Sequence, residues 1–338
     1  MCLVIVESHG IHSMSKKVLR YFSLIIVFFV TLLALSNLPV RKGYIEYKLS
    51  NTQYEKLVWL GHQFDKGKLK NGDFDLVIIG SSSALYGFND SLNTLKTINL
   101  GVNTGCRAIE LYLLERFIKS GNKTKRIIKE YHILNSKNFD YYGLNPVLHY
   151  FVTPIWLFQH DQAVIQPHML EFILKRCRVV FQSWLYFHTG ADYSPNYTSF
   201  GYRAKLGEIS DRKYIKSTRE APLTGIVNVN DTRSWYHNYQ SQKSFRMQTD
   251  RLAEKHFVNI SYVYFPTLNS LTAQTEENGS LRDKIIALKK SIGLELNVLN
   301  LGKDFVQNRS NWSDPGHYTT KGGRTFSDSL VRYYSKLE

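Results

Sequence analysis

"DLVIIGSSSALYGFND", residues 75–90, runs from an aspartate through four aliphatic residues into Gly80 and three serines. Four consecutive aliphatics closed by a turn residue read as a strand buried on both faces, because a half-exposed strand would alternate apolar with polar. Such strands belong to parallel sheets with helices on either side. Ligands of open parallel sheets gather where the strands end and the chain leaves for the next helix. Gly80, Ser81, Ser82 and Ser83 occupy that end. A serine there can meet a substrate, with neighbouring backbone N–H groups pointing into the same crevice. Serine is equally the residue type that caps a helix, so both uses stay open at this point.

Working outward, β-rich runs recur at residues 96–101, 125–134, 257–265 and 296–302. Between them lie helical patterns at 108–120, 245–257 and 280–293, with apolar residues three and four apart. Strand and helix alternate, which predicts an α/β fold with a parallel sheet covered on both faces. A last helix over 323–337 brings Phe326, Leu330, Val331 and Tyr334 onto one stripe that can close the fold. A βαβ crossover needs only about a dozen residues, so the aromatic-rich stretch 139–244 reads as an insertion. The expected organisation is a tail and apolar segment at 1–40, a stalk and first helix at 41–72, and the α/β domain at 73–338 around that insertion.

Residues 21–35, "YFSLIIVFFVTLLAL", follow Lys16, Lys17 and Arg20. A basic flank before an apolar stretch is a membrane-targeting pattern. Extended to Val40, it reaches the roughly 20 residues that span a bilayer, which predicts an uncleaved single-pass anchor with the rest of the chain outside the cytoplasm. The alternative is a cleaved signal peptide ending near "ALS" at 34–36. The formal charge of +15, spread along the chain, favours an anionic neighbour. Export excludes nucleic acid from the candidates. Only Cys106 and Cys177 follow the apolar segment, so this is no disulfide scaffold. The histidines show no metal-ligand spacing, and no metal or cofactor is expected.

A serine nucleophile needs a base, and an imidazole base needs a carboxylate to fix its tautomer. Both residue types occur in "NWSDPGHYTTKGG", residues 311–323, as Asp314 and His317 just ahead of the final helix. A capping aspartate beside a surface histidine is the plain alternative. A third piece is "TINLGVNTGC", residues 97–106, a strand end with Gly101, Asn103 and Gly105. Exposed amides in such a turn can hold an oxyanion, or the glycines serve only the turn. Tyr86, Tyr193, Tyr197 and Trp235 are candidates to stack on sugar rings. Lys205, Arg212, Lys213, Lys216, Arg219 and Arg233 are candidates to meet an anionic glycan, or simply form a solvated face.

These pieces together resemble the SGNH (GDSL-like) hydrolase superfamily, in particular its membrane-anchored bacterial branch that acts on cell-surface polymers. In "IIGSSSALYGF" Ser82 matches the nucleophile, and Ser81 stands where the family usually has aspartate. This Gly-Ser-Ser variant is similar to that of the D-alanyl transfer proteins of teichoic acid and of alginate-acetylation proteins. "NLGVNTG" matches the second block, with Gly101 or Gly105 as the oxyanion glycine, and Asp314 and His317 match the last. The family's Gly-x-Asn-Asp block after the third strand is missing; "EYHILNSKNFD" offers Asn135 or Asn138 in its place.

The resemblance covers residues 73–135 and 245–337. It implies a flavodoxin-like α/β/α three-layer sandwich. It also implies a serine esterase or O-acyltransferase, with acetyl as the expected acyl group, acting on a surface polysaccharide or other acylated glycan. Ser82, His317 and Asp314 would form the triad, and the amides of Ser82 and Gly105, with Gly101, Asn103 and Asn135, the oxyanion donors. A partner protein that exports the acyl group fits this setting. The missing block supports a competing expectation, a non-catalytic glycan-binding or scaffold protein of the same fold. A small-molecule esterase is a third reading, in which the insertion would be superfluous.

Overall fold

The computed structural model describes residues 16–50, 52–67, 69–92, 95–103, 107–130, 147–160, 169–186, 197–198, 201–203, 205, 207–208, 210–219, 246–265, 268, 296–299, 301 and 303–335. Helix α1 (Lys16–Ser36) leads into α2 (Lys42–Leu49) and α3 (Glu55–Asp65). Within residues 18–36 of α1 the mean hydropathy reaches 2.4, and residues 18–31 are all exposed. The chain thus has one apolar N-terminal helix long enough to cross a membrane.

Strand β1 (Asp73–Ile79) pairs in parallel with β2 (Thr97–Asn99) on one side and β3 (Lys123–Glu130) on the other. Beyond β3 lie β4 (Asn259–Tyr264) and β5 (Leu296–Val298), also parallel. The order β2-β1-β3-β4-β5 is the flavodoxin-like doubly wound order, whose switch point lies between β1 and β3. The fold is therefore the expected α/β sheet flanked by helices.

The buried run of β1 serves both layers at once. Val77 and Ile79 join a cluster with α3 and α5 (Arg107–Lys119), through Leu57, Leu60, Phe64, Leu114 and Phe117. Leu76 and Ile78 face the other way, toward Val263, Phe265, Phe326 and Leu330. All four are at most 1% exposed, so the two-residue side-chain period of a strand divides one apolar run between two cores. Part of the predicted 41–72 segment is covering structure, since α3 buries Leu57, Val58, Trp59 and Leu60.

Several boundaries differ from the sequence reading. Phe257 lies outside β4, in a turn at φ 56° and 96% exposed. The helical pattern at 280–293 and the last residues of the run 125–134 fall outside the described residues.

Helix α4 (Ser82–Gly87) follows at the tip of β1, and in the long connection between β3 and β4 the described parts include α6 (Leu148–Phe151), α7 (Pro154–His160), α8 (Met169–Trp184) and α9 (Asp211–Arg219). After β5 come α10 (Lys303–Gln307), a short antiparallel hairpin β6 (Trp312–Asp314) and β7 (His317–Tyr318), and α11 (Thr320–Ser335).

Candidate active site

The loop that carries Ser82 is held from beneath by a residue that the sequence did not single out. Glu130, the last residue of β3, is fully buried. It accepts the Ser81 N–H at Oε2 (2.6 Å) and the Ser81 hydroxyl at Oε1 (3.2 Å). This pairing crosses the switch point between β1 and β3. A Cβ on Gly80 would stand 2.3 Å from Glu130 Oε2, so only glycine lets the carboxylate approach. Ser81 is also the helix cap, its Oγ accepting the Ser83 N–H at 3.3 Å. The cap and the presented serine are thus neighbours, and Ser82 heads α4 with its hydroxyl free to point outward. Its N–H is one of the first-turn amides that lack an intrahelical acceptor.

Asp314 and His317 sit opposite each other across the β6–β7 hairpin, not on a helical turn. Trp312 and Tyr318 flank them, both fully buried, with ring centroids 5.1 Å apart and packed on Phe305 and Phe326. Gly322 of α11 closes on the same hairpin; a Cβ there would lie 2.1 Å from the Asn311 carbonyl oxygen.

With both loops placed, His317 Nε2 is 2.7 Å from Ser82 Oγ. His317 Nδ1 is 2.7 and 2.8 Å from the two Asp314 oxygens. The Gly316 N–H donates to Asp314 Oδ1 at 2.9 Å. Tyr86 of α4 meets the imidazole edge-on, at 5.3 Å and 89°, and accepts a hydrogen bond from Asn103 Nδ2 at 2.9 Å.

Lys205 completes this cluster from the long connection. Its ammonium donates to Asp314 Oδ2, stands 3.0 Å from His317 Nδ1, and lies over the Tyr86 ring at 5.1 Å. Burial would push the Asp314 carboxyl up, but its bond to His317, then that to Lys205, holds it well below the ordinary carboxylate range. Two donors therefore share one carboxylate. If Nδ1 carries its proton, it faces the ammonium donor to donor. If Nδ1 is bare, it accepts from Lys205, and the proton sits on Nε2 facing Ser82. Only the first tautomer leaves Nε2 free to take the serine proton.

The segment that delivers Lys205 is pinned to the core. Buried Asp90 accepts from the Thr198 hydroxyl (2.7 and 2.8 Å) and from the Tyr202 N–H (3.2 Å). Lys56, also buried, donates to the Asn99 carbonyl at 2.8 Å directly beneath Gly201.

Other expected site residues are placed differently. The Gly101 N–H donates to Asn99 Oδ1 at 2.8 Å, and a Cβ there would meet the Leu85 nitrogen at 2.6 Å. That amide is committed inside the fold and is not an oxyanion donor. Asn103 turns its amide to Tyr86. Tyr197 packs on Trp59 (5.3 Å), and burial pushes its hydroxyl up to about 12. Gly105, Asn135, Tyr193 and Trp235 lie outside the described residues. A cavity of about 350 Å³ lies away from Ser82, among the end of α1, α2, α3 and α5, with Asp65, Arg116 and Lys42 in its wall. These three already pair with one another.

A solved structure from Streptococcus pneumonia, described as "a putative platelet activating factor", is similar over 92% of this chain and 98% of its own, at 9% sequence identity and a TM-score of 0.39. No family model and no curated protein matches the chain. The functional reading therefore stands on the chemistry of the site.

Proposed function

We propose that the chain is a membrane-anchored serine esterase or O-acyltransferase acting on an acylated, most simply acetylated, surface glycan. The contact chain from Ser82 Oγ through His317 to Asp314 at the sheet's switch point carries this reading. Nucleophilic acyl transfer needs these three groups in this order. In this reading Ser82 Oγ attacks the acyl carbonyl as its proton passes to His317 Nε2. Asp314 orients the ring and offsets the charge of the imidazolium. The Ser82 N–H stabilises the oxyanion, with Asn103, Gly105 and Asn135 as the further donor candidates. Collapse breaks the ester bond, the departing sugar oxygen takes the proton from Nε2, and the acyl group stays on Ser82. Water then releases the free acid, or a second sugar hydroxyl takes the acyl group.

Helix α1 would hold the domain at the membrane, outside the cytoplasm, where an acyl-exporting partner protein could load it. Lys205 at the triad favours an anionic glycan. The test is fluorophosphonate labelling of the full-length protein in detergent, with the adduct mapped by mass. A single adduct on Ser82, absent in Ser82→Ala and His317→Ala, is expected. A folded protein that takes no label would assign the chain to glycan binding or scaffolding instead.

A further inference from the structure

Helix α8 has two apolar faces, and the core uses one of them. Phe172, Arg176, Val179, Val180 and Ser183 are buried against the protein. Leu170, Leu174, Phe181, Trp184 and Leu185, at the end of α8, are 47–67% exposed. At about 100° per residue these five fall within one arc of about 100° on a different side of the helix. The charged Glu171, Lys175 and Arg178 occupy the sector beside it, with Glu171 and Lys175 paired at 2.6 Å. A contiguous exposed apolar arc of this kind marks a membrane or protein contact.

The neighbour of α8 names the environment. Cys177 Sγ donates to the Leu32 carbonyl of α1 at 3.2 Å, and Arg176 donates to the carbonyls of Ser36 (3.2 Å) and Leu38 (3.0 Å). Further on, the Arg41 N–H donates to Ser183 Oγ at 3.3 Å and Tyr44 Oη to Gln182 Oε1 at 2.7 Å. From Leu32 against Cys177 to Arg41 against Ser183 the residue numbers rise overall in both segments, so they run broadly the same way. The start of α8 therefore reaches back about 10 Å along the apolar part of α1. Where the two leave each other, aromatic and basic side chains collect. Arg41 lies over Trp184 at 5.0 Å, Tyr186 stacks on Tyr47 at 4.8 Å, and Lys48 lies over Tyr47 at 5.1 Å. Tyr, Trp and basic residues of this kind mark the headgroup level of membrane proteins.

We infer that the exposed arc of α8 seats in the lipid bilayer beside α1, with the Trp184, Tyr47 and Tyr186 group at the headgroups. The apolar surface of α1, exposed over residues 18–31, needs hydrocarbon around it, and the arc of α8 continues that surface. The globular domain is then clamped on the membrane by two helices and does not swing on a tether. Removal of α1 at Ser36 would strip α8 of its bonds to Leu32 and Ser36, so α1 stays part of the folded protein. This inference does not depend on the catalytic reading.

The test uses the full-length chain with its cysteines replaced by serine, reconstituted in nanodiscs of phosphatidylethanolamine and phosphatidylglycerol. A fluorophore is placed on a single cysteine at Leu174, at Phe181, at Ile26 of α1, or at Lys213 of α9. Doxyl-labelled lipid is expected to quench the first three and aqueous iodide the fourth. Quenching of unlabelled protein by brominated lipid, reduced in Trp184→Phe, gives the same reading without a label. Iodide quenching at Leu174 and Phe181 equal to that at Lys213 would overturn the inference. So would an Ile26 label that lipid does not quench.

Discussion

Lys205 and Asp314 form an ion pair on the one carboxylate that His317 Nδ1 also approaches, at 2.7 Å. In the proposed acyl transfer, the ammonium offsets charge that would otherwise stabilise the imidazolium of the transition state. It also competes for the tautomer that the serine needs.

Replacing Lys205 with methionine should therefore raise kcat/KM for a neutral activated acetyl ester about fivefold, roughly 1 kcal/mol at a half-exposed site. For an acetylated anionic sugar the same change should raise KM, and Lys205→Arg should restore the original preference. Steady-state kinetics on both esters check this. An equal fall in kcat on both would make Lys205 a structural prop only.

Glu130 gives a second prediction. Glu130→Gln keeps the shape but replaces one acceptor oxygen by a donor, so either the Ser81 N–H or the proton of its hydroxyl loses its buried acceptor. A group so stranded costs about 1–3 kcal/mol. The melting temperature should drop by several degrees. The hydrolysis rate should fall about tenfold at unchanged KM, since the loop that presents Ser82 loses its support. Calorimetry and kinetics on one preparation separate the two effects.

Gly322 tests the hairpin. Alanine there would push the Asn311 carbonyl and with it the strand that carries Asp314. Overpacking of this kind costs about 1–3 kcal/mol. Fluorophosphonate labelling of Ser82 should slow at least tenfold in Gly322→Ala, while Gly61→Ala, where a Cβ meets nothing within 4 Å, should label at the original rate.

A pH-dependent contribution to stability lies at α7. His160 Nε2 is 3.0 Å from Glu115 Oε1, the Trp156 indole donates to Glu115 Oε2 at 2.9 Å, and both partners of the ion pair are 14% exposed. Burial would raise Glu115, but the His160 and Trp156 hydrogen bonds hold it at about 2. Burial would lower His160, but Glu115 and the Trp156 carbonyl raise it above its ordinary value.

A depressed carboxyl stabilises the fold above its unfolded pKa and loses that contribution as pH falls toward 2. A raised histidine contributes below its unfolded pKa and loses that contribution as pH rises past its folded one. The pair is therefore worth most between about pH 4.5 and 6.5. Glu115→Gln should cost about 2 kcal/mol there, and less both near pH 2 and above pH 8. Denaturant melts across that range check it; a cost independent of pH would remove the ion pair from the account.

Residues 76–79 announced a doubly buried strand because four adjacent aliphatics have few other homes. Ser82, Asp314 and His317 were legible because their neighbours follow local rules: a strand end, a helix cap, a loop before a helix. The sequence by itself thus determined the sheet, the apolar helix and the three residue types that meet. Only the tertiary structure decided what surrounds them. Glu130 reads as an ordinary acid at a strand end until β3 is laid beside β1. Gly101 looked like an oxyanion donor until Asn99, two residues before it, took its amide. Lys205 and the second face of α8 depend on where a long connection returns and on which helix it returns to. Those contacts are fixed by burial and hydrogen bonding between segments more than a hundred residues apart, and no local pattern encodes such pairings.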